Sequence, residues 1–276
     1  MKKIEKAQLF LKENLHLFQC PVCQSSFKEI TDFQLSCLEN HQFDLSKKGT
    51  LHFLLKPVQS EYTREMLLAR QRIAQGGFWH PMLEEVFKQI KKLEGTHLDV
   101  GCGEGAHSHY LKGLGLSGPT IAFDISKEGI QLGAATYEDL FFLVADLAQS
   151  PFSGNSFDTI LNILSPSNYK EFKRLLKPEG QVIKVVPGTD YLKELRTLSG
   201  TASKRYSNKD VVRKFEEEFP NHNKIPVYYT RTLNDEEIVD FIHMTPLGWH
   251  VQLDEEMKKQ LKTITIDMVI LVGENK

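Results

Sequence analysis

The chain has 276 residues, of which 41% are hydrophobic and 25% are charged, and these values exclude a disordered or fibrous protein. No run of about 18 apolar residues occurs, which argues against a membrane span. Lys12, Glu13, Asn14 and His16 interrupt the apolar part of the basic N-terminus, which argues against a signal peptide. We therefore expect a cytoplasmic protein with no membrane partner. The net charge of −2 does not by itself indicate nucleic-acid binding.

Residues 18–56 contain three of the four cysteines and are predicted to form a small zinc-binding module with short strands. The spacing is C-x2-C, then thirteen residues, then C-x3-H. A disulfide framework is not favoured, because the cysteines here are odd in number and no export signal precedes them. Three thiolates and one imidazole at this spacing indicate a structural, four-coordinate Zn²⁺. The predicted ligands are Cys20, Cys23, Cys37 and His41, with His16 and His52 as alternatives to His41.

The stretch 57–95 is predicted to be a helical linker. Apolar residues at helical spacing predict helices over residues 61–75 and 82–94. Gly76-Gly77 separates the two helices.

From residue 96 the pattern changes to alternating strands and helices, which predicts a doubly wound parallel sheet. Predicted strands have the sequences HLDV, TIAFDIS, LFFLVADL, FDTILNIL and QVIKVVPG. Two late apolar stretches, 225–233 and 263–274, are predicted to complete the sheet as an antiparallel edge pair. The predicted organisation is thus an α/β fold with a zinc module at 1–56, a linker at 57–95 and a main domain at 96–276.

A glycine-rich turn follows the first strand of the main domain and precedes a helix. Its sequence is Asp99-Val100-Gly101-Cys102-Gly103-Glu104-Gly105. Glycines at such a turn allow sharp bends and the close approach of a ligand. The third glycine comes one residue earlier than in dinucleotide-binding loops, so the spacing does not favour NAD. For Cys102, packing under the loop is favoured over a catalytic thiol, because no partner residue lies at a defined spacing.

Two acidic residues lie at the ends of the next two strands and suit a nucleoside without phosphates. Asp124 lies 23 positions after Gly101, where its carboxylate can accept both ribose hydroxyls. Asp146 can accept from an adenine amino group, while the backbone N–H of Leu147 serves the ring. S-adenosylmethionine fits this description. The alternative role for both acids is helix N-capping.

The chain resembles the bacterial 23S rRNA (guanine-N1-)-methyltransferases of the RlmA type over nearly its whole length. The resemblance is carried by the zinc pattern and by motifs in each later part of the chain. These motifs are Gln42-Phe43-Asp44, Glu65-Met66 with Ala69-Arg70, the turn from Asp99 to Gly105, and Met244-Thr245-Pro246 with Trp249.

This resemblance implies a class I S-adenosylmethionine-dependent methyltransferase fold and a homodimer whose zinc modules help to hold an rRNA hairpin. The implied substrate is a guanine in a domain II hairpin of 23S rRNA, near the macrolide site of the exit tunnel. The implied cofactor contacts include Trp79, the loop residues Gly103, Glu104 and Gly105, and Tyr191, where other members carry histidine. A core aromatic is the alternative role for Trp79. The predicted cofactor site therefore comprises Trp79, Asp99, Gly101, Gly103, Glu104, Gly105, Asp124, Asp146, Leu147 and Tyr191.

The expected reaction is an in-line transfer of a methyl group to guanine N1, and the sequence identifies no general base. Asn162 and Ser165 lie at the exit of the fourth strand and are candidates for orienting the target base; the alternative is that they begin a loop. Guanine N1 can be reached only when the base is unpaired or flipped out, which favours a target in a hairpin loop. Candidate phosphate contacts are Lys47, Lys48, Arg64, Arg70, Arg72, Lys204 and Arg205.

Two other functions stay open at this point. One is a methyltransferase for a small molecule with a purely structural zinc module, and the other is a zinc-stabilised RNA-binding protein without catalysis. The intact glycine turn and the two acidic residues argue against an RNA-binding protein without catalysis. The residues do not separate the branches of the family that modify neighbouring guanines; we favour the branch associated with the response to tylosin-type macrolides.

Overall fold

Two sheets form in the described part of this computed structural model, which comprises residues 1–56, 58, 62–199, 207–248 and 253–275. The small sheet contains β1 (Phe27–Thr31), β2 (Gln34–Cys37) and β3 (Gln42–Asp44). The large sheet contains β4 (Leu51–His52), β5 (His97–Val100), β6 (Thr120–Asp124), β7 (Phe141–Val144), β8 (Phe157–Ile163), β9 (Leu176–Pro187), β10 (His222–Thr232) and β11 (Thr263–Glu274).

The helices flank the large sheet on both faces. In chain order they are α1 (Lys3–Asn14), α2 (Arg64–Gln75), α3 (His80–Lys88), α4 (Ala106–Leu114), α5 (Lys127–Thr136), α6 (Tyr169–Leu175), α7 (Lys193–Leu198), α8 (Lys209–Glu218), α9 (Asp235–His243) and α10 (Glu255–Gln260). No helix among the described residues combines the length and the apolar character that crossing a bilayer requires.

The large sheet has the order β10-β11-β9-β8-β5-β6-β7-β4. All pairs from β9 to β4 are parallel, whereas β11 is antiparallel to both β9 and β10. The predicted doubly wound sheet and its antiparallel edge pair are thereby confirmed. The central strand β8 is buried along its whole length, as a strand covered by helices on both faces must be.

One predicted element ends earlier than expected. The helix predicted over 82–94 ends at Lys88. Gln181 of β9 donates from Nε2 to the carbonyl of Gln89 (2.8 Å), and its Oε1 accepts from the backbone N–H of Lys91 (3.2 Å). The buried side chain of Gln181 thus satisfies backbone groups that a longer helix would have paired internally.

The N-terminal segment shares a core with the large sheet. The rings of Phe10 and Phe141 stack with centroids 4.7 Å apart, and Phe18 lies 5.6 Å from Phe152. Strand β4 adds to the sheet edge in parallel with β7. One continuous apolar cluster therefore joins the zinc module, α1, α6, α8 and one sheet face. The domain boundaries at 56 and 95 stay predictions.

Candidate zinc and cofactor sites

The four predicted zinc ligands form one cluster, in which their ligand atoms all lie within 4.8 Å of one another. Cys20 and Cys23 flank a tight turn, Cys37 ends β2, and His41 directly precedes β3. Nδ1 of His41 lies 3.5 Å from Sγ of Cys37 and 3.7 Å from Sγ of Cys20. The predicted alternatives, His16 and His52, are not part of this cluster.

The surroundings of Cys37 favour the thiolate form that binds metal. Burial opposes ionisation, but hydrogen bonds from Ser25 and from the backbone of His41 outweigh it and lower the pKa of Cys37 to about 6. The backbone N–H of His41 donates to Sγ of Cys37 at 3.2 Å. Three sulfurs and one imidazole nitrogen at these distances supply the four ligands of a tetrahedral structural Zn²⁺ site, which leaves no position for a catalytic water.

The glycine turn after β5 adopts a conformation that requires its glycines. Gly101, Gly103 and Gly105 have φ angles of +71°, +58° and +79°. A Cβ at Gly101 would lie 2.6 Å from Cβ of Ser165, and one at Gly105 would lie 2.7 Å from the ring of Phe142. A Cβ at Gly103 would meet no atom within 4 Å. Two glycines are thus needed for packing, while the middle one faces open space in which a ligand can approach the backbone.

Asp124, at the end of β6, closes this turn. Its Oδ2 accepts from the backbone N–H of Gly103 and its Oδ1 from that of Ser126, each at 2.8 Å. The N-cap of α5 is Ser126, so Asp124 is not a helix cap. Asp146, in contrast, caps a short 3-10 helix (Leu147–Gln149) by accepting from the N–H of Ala148 at 2.8 Å, which was the alternative role predicted for it.

A cavity of about 310 Å³ opens at the carboxyl ends of β5, β6 and β7. The described residues that line it include the predicted residues Gly101, Gly103, Asp124, Asp146, Leu147 and Ser165. An adjoining cavity of about 280 Å³ is lined by Trp79 and Tyr191, and Tyr62, Arg70 and Leu164 line both. Apolar walls with a few convergent polar groups are typical of small-molecule sites.

Other predicted site residues lie behind the cavity walls. Asp99, Glu104, Gly105 and Asn162 line neither cavity. Asp99 accepts from Oγ of Ser108 at 2.7 Å, and burial raises its pKa to about 7. Burial also raises the pKa of Cys102 well above its usual value, and its thiol donates to the carbonyl of Gly103. The packing role predicted for Cys102 therefore agrees with its surroundings.

Trp79 is a core aromatic that also lines a cavity, so its position is compatible with both of the roles considered for it. It is 3% exposed and makes edge contacts with Phe78 and His107, so it belongs to the core. It also lines the second cavity, and its Nε1 has no hydrogen-bond partner among the described residues. Tyr191 lines the same cavity, and burial raises its pKa.

Arg70 was considered only as a phosphate contact, but it faces the interior of the site. Its guanidinium lies 5.6 Å from the ring centroid of Trp79, and its Nε lies 3.8 Å from Oε2 of Glu104. Neither Nε nor Oε2 has a hydrogen-bond partner among the described residues, although both are buried. The two charged groups thus lie within ion-pair distance without a hydrogen bond between them, which leaves both able to bind a further polar group. The only signal in the sequence was the position of Arg70 within a family motif.

Of the other predicted phosphate contacts, Arg72 forms a bidentate pair with Asp240 at 2.7 and 2.6 Å, and Lys48 donates to the carbonyl of Gln131. Lys204 and Arg205, as well as Trp249 of the family motif, lie outside the described residues.

Asn162 and Ser165 organise the loop after β8. Nδ2 of Asn162 donates to Oγ of Ser165 (2.5 Å) and to the carbonyl of Pro166 (2.9 Å), while Oγ of Ser165 donates to the carbonyl of Val100 (2.7 Å). Oδ1 of Asn162 accepts from Oγ of Ser167 and from Nζ of Lys184, which no motif in the sequence indicated.

Comparison with known proteins identifies two families along the chain. The family described as "RlmA, N-terminal", a zinc ribbon, matches residues 18–64, and the family described as "Methyltransferase domain" matches residues 98–184.

Three relatives match most of the chain. A Bacillus subtilis (strain 168) protein with the provisional name 23S rRNA (guanine-N(1)-)-methyltransferase YxjB is 40% identical over 272 residues, which cover 93% of this chain and 96% of the relative. A Streptomyces fradiae protein named 23S rRNA (guanine(748)-N(1))-methyltransferase is 25% identical and covers 88% and 90% of the two chains. A Micromonospora griseorubida protein, provisionally named 23S rRNA (guanine-N(1)-)-methyltransferase, is 23% identical and covers 84% and 86%.

Proposed function

Because this chain belongs to the family of 23S rRNA (guanine-N1-)-methyltransferases with an N-terminal zinc ribbon, we propose that it methylates N1 of a guanine in 23S rRNA. The family membership, the methyltransferase domain and the zinc ribbon predicted from the sequence are confirmed. The observation that carries the proposal is the cavity at the ends of β5, β6 and β7, where Asp124 and the open backbone of Gly103 face the same space.

The residues of the cavity fit S-adenosylmethionine. The carboxylate of Asp124 is proposed to accept hydrogen bonds from the ribose hydroxyls. Asp146 and the backbone N–H of Leu147 are proposed to bind the adenine. Arg70 is proposed to pair with the carboxylate of the methionine part, since its side chain lines both cavities. Glu104 and Trp79 then lie near the cationic end of the donor, where an aromatic face contributes about 0.5–2 kcal/mol.

The bound donor supplies an electrophilic methyl group on a positively charged sulfur. The task of the chain is then to place guanine N1 in line with that methyl group, and well-oriented placement lowers such barriers by about 7–11 kcal/mol. Asn162 and Ser165 serve this placement indirectly, because their hydrogen bonds fix the loop from Leu164 to Ser167 between the cavities.

The proposed RNA target is a guanine in the domain II hairpin near the macrolide site, because N1 is accessible only in an unpaired or flipped base. We favour the tylosin-type branch of the family. We further propose that two copies hold one hairpin with their zinc modules and that the reaction takes place in the cytoplasm. Sedimentation with and without the hairpin tests the dimer; a monomer in both conditions would contradict it.

The central experiment is incubation of the protein with labelled methyl donor and undermethylated 23S rRNA. We expect label in the RNA and a reverse-transcription stop at a single guanine, because a methyl group on N1 blocks base pairing. Label that appears only in small molecules would favour the alternative small-molecule methyltransferase. Bound donor without any transfer would favour a non-catalytic RNA-binding protein.

Replacing Gly103 by alanine is expected to weaken cofactor binding at least tenfold, because the added Cβ would occupy the space through which the donor approaches the backbone. The positive φ of this position should cost the variant about 1–2 kcal/mol of stability. Gly101→Ala is expected to destabilise the fold more, because its Cβ would collide with Ser165. Calorimetry with S-adenosylhomocysteine and thermal melts separate the two effects.

Gly113→Ala is the matched control, since Gly113 lies in α4 and its Cβ would also meet no atom within 4 Å. A glycine-to-alanine change within a helix raises stability by about 0.5–1 kcal/mol. The affinity for the cofactor should stay unchanged. Wild-type affinity in Gly103→Ala would show that the donor does not approach the turn at this point.

A further inference from the structure

Lys184 is a buried lysine without an acidic partner. It lies in β9 beside Asn162 of β8, and only 4% of the residue is exposed. Its Nζ donates to Oδ1 of Asn162 at 2.7 Å and to the carbonyl of Ser165 at 3.1 Å. Among the described residues, no carboxylate lies within ion-pair distance of it. Lysines are rarely buried unless they are paired, so this position calls for a physical reason.

The contacts of Nζ match a neutral amine better than an ammonium group. An ammonium has three N–H donors, and the described residues supply two acceptors, the amide oxygen of Asn162 and the carbonyl of Ser165. A neutral amine has two N–H donors, which these acceptors satisfy, and it keeps one lone pair. Burial alone lowers the pKa of Lys184 from 10.5 to about 8, so about a tenth of the amine is neutral at pH 7 and about half at pH 8.

Lys184 also borders the space beside the donor. It lines an open cavity of about 660 Å³ whose wall includes Leu164, Ser165 and Pro166, and these three residues also line the cofactor cavity. The open cavity thus adjoins the cofactor cavity along this loop. Its other titratable lining groups are Tyr169 on α6, Tyr191 after β9, and Asp210 and Lys214 on α8.

We propose that Lys184 is the proton acceptor of the methyl transfer. This inference rests on the proposed function and adds the general base that the sequence did not identify. As the bond between N1 and the methyl carbon forms, the bond from that carbon to sulfur breaks and its electron pair stays on sulfur. The N1 proton passes to the lone pair of Nζ, so the positive charge lost at sulfur reappears as an ammonium group. The open cavity then lets this proton leave to solvent.

The test is the pH dependence of single-turnover methyl transfer to the rRNA hairpin at saturating donor. In the wild type the rate should rise tenfold per pH unit and level off near pH 8, because only the neutral amine accepts the proton. Lys184→Met and Lys184→Arg should lower the rate about 10²–10⁴-fold. In both variants the rate should keep rising above pH 8, since N1 must then ionise unaided.

Lys214→Met is the matched control, because it removes an exposed lysine from the same cavity. The pH at which its rate levels off should equal that of the wild type. Zinc content and affinity for S-adenosylhomocysteine show whether each variant is folded. Carbon-13 NMR of the lysine Cε atoms gives a second readout in the wild type, where Lys184 should titrate near pH 8.

Two results would overturn the proposal. The first is a Lys184 variant whose methyl-transfer rate is lower but levels off at the same pH as the wild type, which would indicate a purely structural role. The second is a Lys184 resonance in the wild type that titrates near pH 10.5. A wild type that methylates no RNA would instead contradict the proposed function itself.

Discussion

Replacement of Cys37 by serine is expected to abolish zinc binding and to unfold residues 18–56. Structural zinc sites contribute about 10–16 kcal/mol of apparent binding free energy, and three short strands cannot replace that contribution with an apolar core. Cys37 is buried at the end of β2 and contacts both Cys23 and His41. We expect one zinc ion per wild-type chain and none in the variant, as measured with a colorimetric zinc indicator.

The same change should lower the melting temperature of the main domain, because the zinc module shares an apolar cluster with the large sheet. Phe10 and Phe18 pack on Phe141 and Phe152, and β4 extends the large sheet beside β7. Limited proteolysis should then cleave within α1 as well as within the module. Cys102→Ala is the control, because Cys102 is a buried cysteine outside the cluster and its loss should leave the zinc content unchanged. A Cys37→Ser variant that retains both zinc and the wild-type melting temperature would contradict the predicted ligand set.

Replacement of Asp124 by alanine is expected to weaken the binding of S-adenosylmethionine and its demethylated product about 10²–10⁴-fold. Two hydrogen bonds from ribose hydroxyls to a charged carboxylate account for this loss, since each is worth about 1.5–3 kcal/mol. The variant also loses the acceptor that holds the N–H of Gly103. Asp124→Asn retains an acceptor for that N–H, so its loss should be smaller.

Isothermal titration calorimetry measures both variants against the wild type. Glu128→Gln is the charge-matched control, because Glu128 is an exposed acid in the first turn of α5, close to Asp124 along the chain. Its affinity should match that of the wild type. Affinity within threefold of the wild type in Asp124→Ala would remove Asp124 from the proposed ribose site.

The sequence by itself determined the features that depend on short-range spacing. Two cysteines in a tight turn and a C-x3-H pair predicted the four-residue cluster. Alternating strand and helix patterns predicted the parallel sheet and its antiparallel edge pair. The glycines of the turn and Asp124 were selected as candidates because the strands of a parallel sheet direct the residues at their carboxyl ends into a common crevice.

Only the tertiary structure decided the features that depend on partners distant along the chain. The end of α3 at Lys88 is set by Gln181, which lies in β9. Asp146 serves as a cap, whereas Asp124 holds the glycine turn, although both follow a buried strand in the sequence. Lys184 and Arg70 resemble surface residues in their own segments, and their state is fixed by burial against Asn162 and Glu104. Burial and the pairing of polar atoms are properties of the assembled chain, so local spacing cannot encode them.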